Sequence, residues 1–394
     1  MISFKISTPG KVILFGEHSV VYNKTAVAAS LDQHTSLDFH QLPEDESSIC
    51  VEMRKVGLSL RIPVDQTRDR FFGANAPKKD ESDYDATLAY IREFVDDTLK
   101  CDTAQHKSGV ECLLYAMLQV SQMEKAWKLV PFRLELNTEL SIGSGQGSSA
   151  SFSVSLVTCF LHFARLQRDP RSPYDLNHQD REIVSNLAFN CEKIMHGAPS
   201  GIDNTVCTFG SVVEFRKGSP PKFIPVVESR KIKILIVDTK VGRSTKTLVE
   251  RLCGLKTTYP RVFEPVLQAM DEVAKRVIHL LREMQTVTVG DDDRYCSAFN
   301  ELAVLIDINQ GLLVTCQVSH PSLDTICANA KRYGFSAKLT GAGGGGFAYV
   351  LIPPDAPEEK VRDLSFELTC RGFTVSETNL GGSGVQIHKT SEDS

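Results

Sequence analysis

The residues best suited to chemistry lie in the stretch IGSGQGSSAS. Gly143, Gly145 and Gly147 alternate with other residues and run directly into Ser148 and Ser149. Glycine adopts positive φ without strain and lets a ligand approach the backbone closely. The apolar run that follows predicts a helix beginning near Ser148, whose free N–H groups and dipole would favour an anion such as phosphate. A serine hydroxyl there could also reach Mg²⁺ carried by the phosphate.

The spacing of these glycines leaves an alternative open. The spacing matches neither the Walker A pattern, since no Gly-Lys-Ser/Thr follows, nor the dinucleotide-binding pattern. A glycine-rich helix cap that binds no ligand would have the same sequence features. A second stretch, KLTGAGGGGF at 338–347, favours ligand binding. It places five glycines in six positions between two strand-like runs. We therefore expect its backbone to approach a ligand, or another phosphate-holding loop, closely.

Two further stretches carry charged side chains suited to phosphoryl transfer. STPGKVILFGEHSVVY holds Lys11, Glu17 and His18, and a lysine there could stabilise charge that develops in the transition state. CEKIMHGAPSGIDNTV holds Glu192 and Asp203, and two carboxylates in separate settings suit Mg²⁺ binding and acceptance of a hydroxyl proton. Each stretch also has a structural interpretation, as a hydrogen-bonding histidine, a charged helix end or an Asx turn.

The elements that must position these residues predict an α+β protein. Strand-like and helical runs occur without a regular βαβ repeat. Strand-like runs flank a predicted turn at Pro9-Gly10 and enter both glycine-rich loops. One predicted helix has Asp180 as a possible N-cap and ends at Gly197, and another spans 265–284.

The domain organisation follows from one change in composition. The Pro- and Lys-rich segment 216–231 is the predicted junction. This segment separates a domain at 1–228, with Lys11 and the predicted phosphate loop from Gly143 to Ser149, from a domain at 229–394 with the second glycine-rich loop. The polar segment 41–108 is predicted to be a variable surface region with short strands at ICVEM and LSLRI and a helix near ATLAYIREFVDDTL.

Composition and charge exclude several function classes. The chain has 394 residues, of which 42% are hydrophobic and 24% charged, as in ordinary soluble proteins. A net charge of −5 without a dominant Lys/Arg cluster argues against a nucleic-acid partner. We find no signal peptide and no apolar run long enough to cross a bilayer, so no membrane association is expected. Eleven scattered cysteines without a C-x-x-C pair indicate reduced thiols, and we expect a cytoplasmic protein.

The four stretches together resemble the small-molecule kinase superfamily of galactokinase, homoserine kinase, mevalonate kinase and phosphomevalonate kinase. Within it they are similar to the mevalonate kinase family, whose motifs read A-P-G-K-V-I-L-x-G-E-H, P-x-G-x-G-L-G-S-S-A and E-x-x-x-H-G-x-P-S-G-x-D-N. The chain has TPGKVILFGEH, SIGSGQGSSA and EKIMHGAPSGIDN at these places. The resemblance covers nearly the whole chain and is weakest over 41–108.

This resemblance implies a fold and an activity. The fold would be α+β, with an active-site cleft between an N-terminal domain and a C-terminal ferredoxin-like domain. The activity would be transfer of the γ-phosphoryl group of ATP to the 5-hydroxyl of mevalonate in isoprenoid biosynthesis. Mg²⁺ would be the cofactor, and the protein would be a homodimer.

The resemblance also implies roles for individual residues. Asp203 would be the catalytic base and Lys11 would stabilise the developing charge. Ser149 and Glu192 would hold Mg²⁺. The residues that bind ATP would be Gly143, Ser144, Gly145, Gln146, Gly147, Ser148 and Ser149. The residues that position mevalonate would be Glu17, His18, Arg243, Thr245 and Ala342.

The chain departs from the second family motif at two positions. Ser141 replaces the proline of the motif, and Gln146 replaces its leucine. Proline fixes φ, so the loop entry is less preset here, and a glutamine at an apolar position needs a hydrogen-bond partner or solvent. Two other functions therefore stay open. They are a superfamily kinase with another alcohol substrate and a nucleotide-binding regulator with weak catalysis.

Overall fold

The computed structural model describes residues 1–73, 84–124, 127–143, 145–197, 199–226, 231–242, 244–287 and 292–390. Its mixture of strands and helices confirms the predicted α+β class. The strands are β1 (Ser3–Phe15), β2 (Ala26–Gln41), β3 (Ser48–Met53), β4 (Leu58–Pro63), β5 (Phe132–Thr138), β6 (Val212–Phe215), β7 (Lys222–Ile224), β8 (Ile232–Asp238), β9 (Ala337–Thr340), β10 (Phe347–Leu351), β11 (Thr374–Leu380) and β12 (Gln386–Lys389).

The helices cover the sheet. They are α1 (Val64–Phe72), α2 (Tyr84–Thr98), α3 (Ala104–Met123), α4 (Ser148–Arg168), α5 (His178–His196), α6 (Ile202–Phe209), α7 (Thr245–Thr258), α8 (Pro260–Thr286), α9 (Asp292–Thr315), α10 (Pro321–Arg332) and α11 (Glu358–Cys370). Buried side chains of α3, α4 and α5 pack with those of β2 to β5, whereas α8 to α11 pack with those of β8 to β10.

Strand β2 connects the two halves of the sheet. It pairs with β1, β5 and β6, and at Leu31 it meets Leu380 of β11. Beyond β11 the order continues through β8 and β10 to β9, which leads into the second glycine-rich loop. The strand β12 returns to pair with β1, so the far end of the described chain lies beside the strand that carries Lys11. The predicted boundary between 228 and 229 falls outside the described residues and stays a prediction.

Three local predictions were wrong. No turn interrupts β1 at Pro9-Gly10; the strand continues with a register shift against β2. Asn177, not Asp180, is the N-cap of α5, and Asp180 completes a capping box from the third helical position. Helix α8 does not start at Pro265 but contains it, because Pro260 already occupies the first helical turn.

Helix α4 is a buried core helix. Contrary to our expectation from the sequence, its length and mean hydropathy of 1.3 are sufficient to cross a membrane. However, 83% of that apolar window is buried inside the protein. Burial on this scale is typical of the central helix of a soluble core.

The core histidine His162 of α4 gives the fold an acid sensitivity. It is 1% exposed, and its ring packs edge-on against Phe4 and Tyr174. Burial, with a smaller contribution from Arg165, lowers its pKa from 6.5 to about 4. Between these values the unfolded chain binds a proton that the folded chain does not, so the free energy of unfolding falls as the pH falls.

We expect the wild type to lose about 2 kcal/mol of stability between pH 7 and pH 5 through this residue. Urea unfolding at both pH values measures this loss. His162→Leu should reduce the difference between the two, whereas a matched change at exposed His178 should not. An unchanged difference in His162→Leu would contradict the assignment.

Candidate active site

A cleft of about 1200 Å³ contains most of the residues singled out in the sequence. Lys11, Ser149, Glu192 and Asp203 line one part of it, and Ala342 of the second glycine-rich loop lines another. These residues come from both halves of the chain. The cleft is therefore the place to examine for chemistry.

Lys11 and Asp203 form an ion pair in this cleft. Lys11 Nζ lies 3.0 Å from Asp203 Oδ2, and the lysine is 5% exposed. Strand β1 supplies Lys11, while Asp203 lies in the first turn of α6 after Gly201, which has φ +86°. The helical position of Asp203 rules out the simple Asx-turn interpretation. A buried cation beside a carboxylate suits transfer of a negatively charged group.

The phosphate loop lies against the side chain of Lys11. Gly143, Gly145 and Gly147 have φ values of +75°, +93° and +75°, as their predicted freedom requires. A Cβ at Gly147 would lie 2.7 Å from Lys11 Cγ, so only glycine permits this approach. Helix α4 begins at Ser148, as predicted, and its N-terminal turn opens on the cleft. Ser144 lies outside the described residues.

The side chains of Ser149 and Glu192 meet in the cleft. Ser149 Oγ donates to Glu192 Oε1 at 3.1 Å, and the ring Nε2 of His196 lies 2.8 Å from the same hydroxyl. Glu192 is 2% exposed. Burial, and then the charge of Asp203, raise its pKa from 4.5 to about 8. A cation bound at Glu192 would lower this pKa again, because it would stabilise the charged carboxylate.

This donor set fits Mg²⁺. Magnesium is commonly held by one or two carboxylates together with substrate phosphates and water, without an all-protein cage. Across the described residues no group of three or more His, Cys, Asp or Glu side chains is arranged to hold a metal ion. Ser149 and the buried Glu192 would supply one hydroxyl and one carboxylate to such a site.

The second glycine-rich loop makes close contacts mainly with the protein itself. A Cβ at Gly343 would overlap the carbonyl of Val318, and one at Gly345 would lie 2.7 Å from the carbonyl of Val241. A Cβ at Gly344 would lie 2.9 Å from Leu248 of α7. These glycines therefore approach neighbouring loops and α7, whereas the close approach to a ligand stays a prediction. Ala342, which lies within this loop, forms part of the cleft wall.

Glu17 and His18 lie beside this loop, outside the group of described residues that line the cleft. His18 has φ +56° and its Nε2 lies 2.7 Å from the carbonyl oxygen of Ala342. Glu17 is buried, forms an ion pair with Lys338 and accepts a hydrogen bond from Asn309 Nδ2 at 3.2 Å. Their assignment to mevalonate stays a prediction. The contacts with Lys338 and Ala342 show that both residues connect the first motif to the stretch 338–347, which holds the second glycine-rich loop.

Thr245 lines the cleft at the start of α7, where Ser244 caps the helix by accepting from the N–H of Thr247 at 3.3 Å. Arg243 lies outside the described residues.

The segment 41–108 contributes a wall of the cleft that the sequence analysis missed. Met53, Lys55, Val56 and Ser108 line it near the phosphate loop. Lys55 Nζ donates to the carbonyl of Thr138 at 3.1 Å. The short strands and the helix predicted in this segment signalled an ordered structure, but no pattern showed that it lines a cleft. Its interpretation as a mere surface region was wrong here.

The fold and this cleft define a small-molecule kinase of the GHMP type. Residues 113–211 match the family model "GHMP kinases N terminal domain", and residues 295–368 match "GHMP kinases C terminal". The chain is 31% identical to the mevalonate kinase of Homo sapiens over 99% of this chain and 96% of the relative. It is 31% identical to the enzyme of Bos taurus over 97% and 94%, respectively. The chain therefore belongs to the mevalonate kinase family, whose members are ATP-dependent kinases.

Solved structures support the same fold. The mevalonate kinase of Methanococcus jannaschii superimposes with a TM-score of 0.70 at 21% identity, over 97% of this chain and 99% of that chain. A mevalonate kinase of L. major in complex with R-mevalonate superimposes with a TM-score of 0.66 at 22% identity, over 96% of both chains.

Proposed function

We propose that this kinase transfers the γ-phosphoryl group of ATP to the 5-hydroxyl of mevalonate, giving 5-phosphomevalonate. The observation that carries the proposal is the Lys11–Asp203 ion pair at 3.0 Å. It lies in the same cleft as the phosphate loop and the Ser149–Glu192 pair. Phosphoryl transfer is catalysed mainly by placement and electrostatic stabilisation, and these residues provide both.

Asp203 and Lys11 act on the acceptor hydroxyl. Asp203 Oδ2 orients the hydroxyl and accepts its proton as the oxygen attacks the γ-phosphorus. Lys11 holds that carboxylate in place and stabilises charge on the transferred group and the nucleophile. The bond to the β-phosphate oxygen breaks, and ADP leaves with that electron pair.

The phosphates of ATP bind the loop and the N-terminus of α4. Main-chain N–H groups between Gly143 and Ser149 donate to the β- and γ-phosphate oxygens. Ser149 and Glu192 would hold Mg²⁺. When bound, this ion neutralises phosphate charge and aligns the γ-phosphoryl group. Thr245 and Ala342, which line the cleft, are proposed to position mevalonate with His18, Glu17 and Arg243.

Two properties of the whole protein remain proposals. A homodimer is inferred from the family resemblance, and light scattering of the purified protein tests it. A cytoplasmic location is supported by the eleven cysteines, all of which are free.

Phosphorylation of mevalonate tests the function directly. The protein is incubated with Mg²⁺, ATP and mevalonate, and in parallel with galactose, homoserine or phosphomevalonate. Product from mevalonate alone is expected. Product from another alcohol instead would establish a different superfamily kinase. ATP binding without turnover of any of these substrates would favour the regulator.

Replacement of Glu192 tests the proposed metal site. Glu192→Gln keeps the shape of the side chain but removes the charge that attracts the cation. The Mg²⁺ concentration for half-maximal activity should rise at least about tenfold. Loss of a residue that merely orients a metal ligand already lowers metal affinity by about this factor. Glu182→Gln, on the exposed face of the same helix, is the control. An unchanged Mg²⁺ requirement in Glu192→Gln would argue against this ligand.

A further inference from the structure

The two positions at which the phosphate loop departs from the family motif contact each other. The main-chain N–H of Ser141 donates to Oε1 of Gln146 at 2.8 Å. The proline of the motif has no N–H to donate, and its leucine has no acceptor. Each departure therefore supplies one half of the same hydrogen bond.

Gln146 is buried at the base of the loop. It is 5% exposed, and its Nε2 lies 3.5 Å from Oε1 of Gln33 in β2. A buried amide without partners destabilises a structure, whereas a buried amide with partners selects one conformation. The side chain of Gln146 thus connects the entry of the loop at Ser141 with the residues just before α4.

The main chain of Gln146 extends this connection to Lys11. Its carbonyl accepts a hydrogen bond from the N–H of Lys11 at 2.8 Å. A Cβ at Gly10 would lie 2.9 Å from the same carbonyl oxygen, so β1 and the loop are in direct contact. A displacement of Gln146 would therefore move both the phosphate loop and the strand that presents Lys11 to Asp203.

We propose that the Ser141–Gln146 hydrogen bond is a positioning contact that sets the phosphate loop for ATP. It takes the place of the rigid proline and the apolar leucine of the motif, and the two residues act as one unit. Loss of either residue alone leaves a polar group unpaired and lets the loop move. Loss of both removes donor and acceptor together. This inference rests on the proposed function, in which the loop holds the phosphates of ATP.

A double-mutant cycle tests the proposal. Ser141→Pro and Gln146→Leu are each expected to raise the KM for ATP about tenfold, because each leaves a hydrogen-bonding group without its partner. The double variant is expected to return to within about threefold of the wild type. The KM for mevalonate should change less than the KM for ATP in the two single variants, because the contact lies in the phosphate loop and reaches the acceptor side only through the main chain of Lys11.

Gln310→Leu is the matched control. Oε1 of buried Gln310 accepts from the main-chain N–H of Leu339 at 2.9 Å. Its loss also leaves a main-chain N–H without an acceptor, away from the phosphate loop. Gln146→Leu and Gln310→Leu should both lower the melting temperature, but only Gln146→Leu should raise the KM for ATP. A lowered melting temperature with a wild-type KM for ATP in Gln146→Leu would overturn the proposal.

Two further outcomes are decisive. Single effects that multiply in the double variant would show that the residues do not act as a unit. If a single variant does not fold, calorimetry of ATP binding to the double variant still decides, since a Kd near that of the wild type is expected and lost binding contradicts the proposal. A wild-type protein that binds ATP but does not phosphorylate mevalonate would refute the proposed function instead. In that case the double-mutant cycle is measured through the Kd for ATP.

Discussion

Asp203→Asn should lower kcat for mevalonate phosphorylation by about 10²–10⁴-fold, the usual contribution of a positioned general base. Asparagine has nearly the same shape as aspartate but cannot accept the proton of the acceptor hydroxyl. It also cannot form the ion pair in which Lys11 Nζ lies 3.0 Å from Asp203 Oδ2. Steady-state kinetics at saturating ATP and mevalonate measure the effect.

The binding of ATP separates this chemical role from a general loss of structure. Asp203 lies on α6 and contributes none of the main-chain N–H groups that are proposed to hold the phosphates. The Kd for ATP in Asp203→Asn should therefore stay within about threefold of the wild type, less than 1 kcal/mol. Asp175→Asn, at a surface position where the side chain is 89% exposed, controls for the loss of a carboxylate. Wild-type turnover in Asp203→Asn would remove Asp203 from the role of base.

Among the substitutions proposed here, Lys338→Met should cause the largest loss of stability, about 3–5 kcal/mol. It leaves the buried carboxylate of Glu17 without its cation. Both side chains are fully buried. Burial raises the pKa of Glu17 and lowers that of Lys338, and their mutual attraction opposes both shifts. Asn309 gives Glu17 a second partner, but a neutral one. Chemical unfolding monitored by circular dichroism measures the change.

The double variant Glu17→Gln/Lys338→Met distinguishes loss of a pair from loss of a cation. With both charges removed, most of the lost stability should return, since replacing a whole buried pair is often neutral or stabilising. If the mevalonate KM of the double variant is also near that of the wild type, Glu17 acts through the packing of His18 and Ala342 rather than as a substrate ligand. A loss below about 1 kcal/mol in Lys338→Met would show that the pair is solvated in solution.

Local sequence patterns predicted the parts of the site that depend on local geometry. Alternate glycines before an apolar run were sufficient to predict a loop with positive φ values and the start of α4 at Ser148, because both follow from backbone freedom and free N–H groups. Motif resemblance was sufficient to single out Asp203 and Glu192 as residues of the cleft. Their contacts with Lys11 and Ser149 could not be predicted in this way.

Contacts between distant parts of the chain could not be predicted. Glu17 and Lys338 are 321 residues apart, so no spacing rule connects them, and the lysine lies in a stretch that was notable only for its glycines. The pairing of Ser141 with Gln146 was missed for a different reason. Each departure was judged alone against the motif, whereas a hydrogen bond depends on both residues. The segment 41–108 was misjudged because polar composition does not reveal which of its residues face a cleft.

The contact between His18 and Ala342 has a consequence for synthesis of the protein on the ribosome. The two residues are 324 positions apart. At the usual rate of about 5–20 residues per second, the ribosome needs roughly 16–65 s to add the intervening chain. During that time β1 and the residues that follow it are already made, but β9 and Lys338 do not yet exist. Glu17 therefore spends this interval without its cation, and the cleft can first bind nucleotide and acceptor together only late in translation.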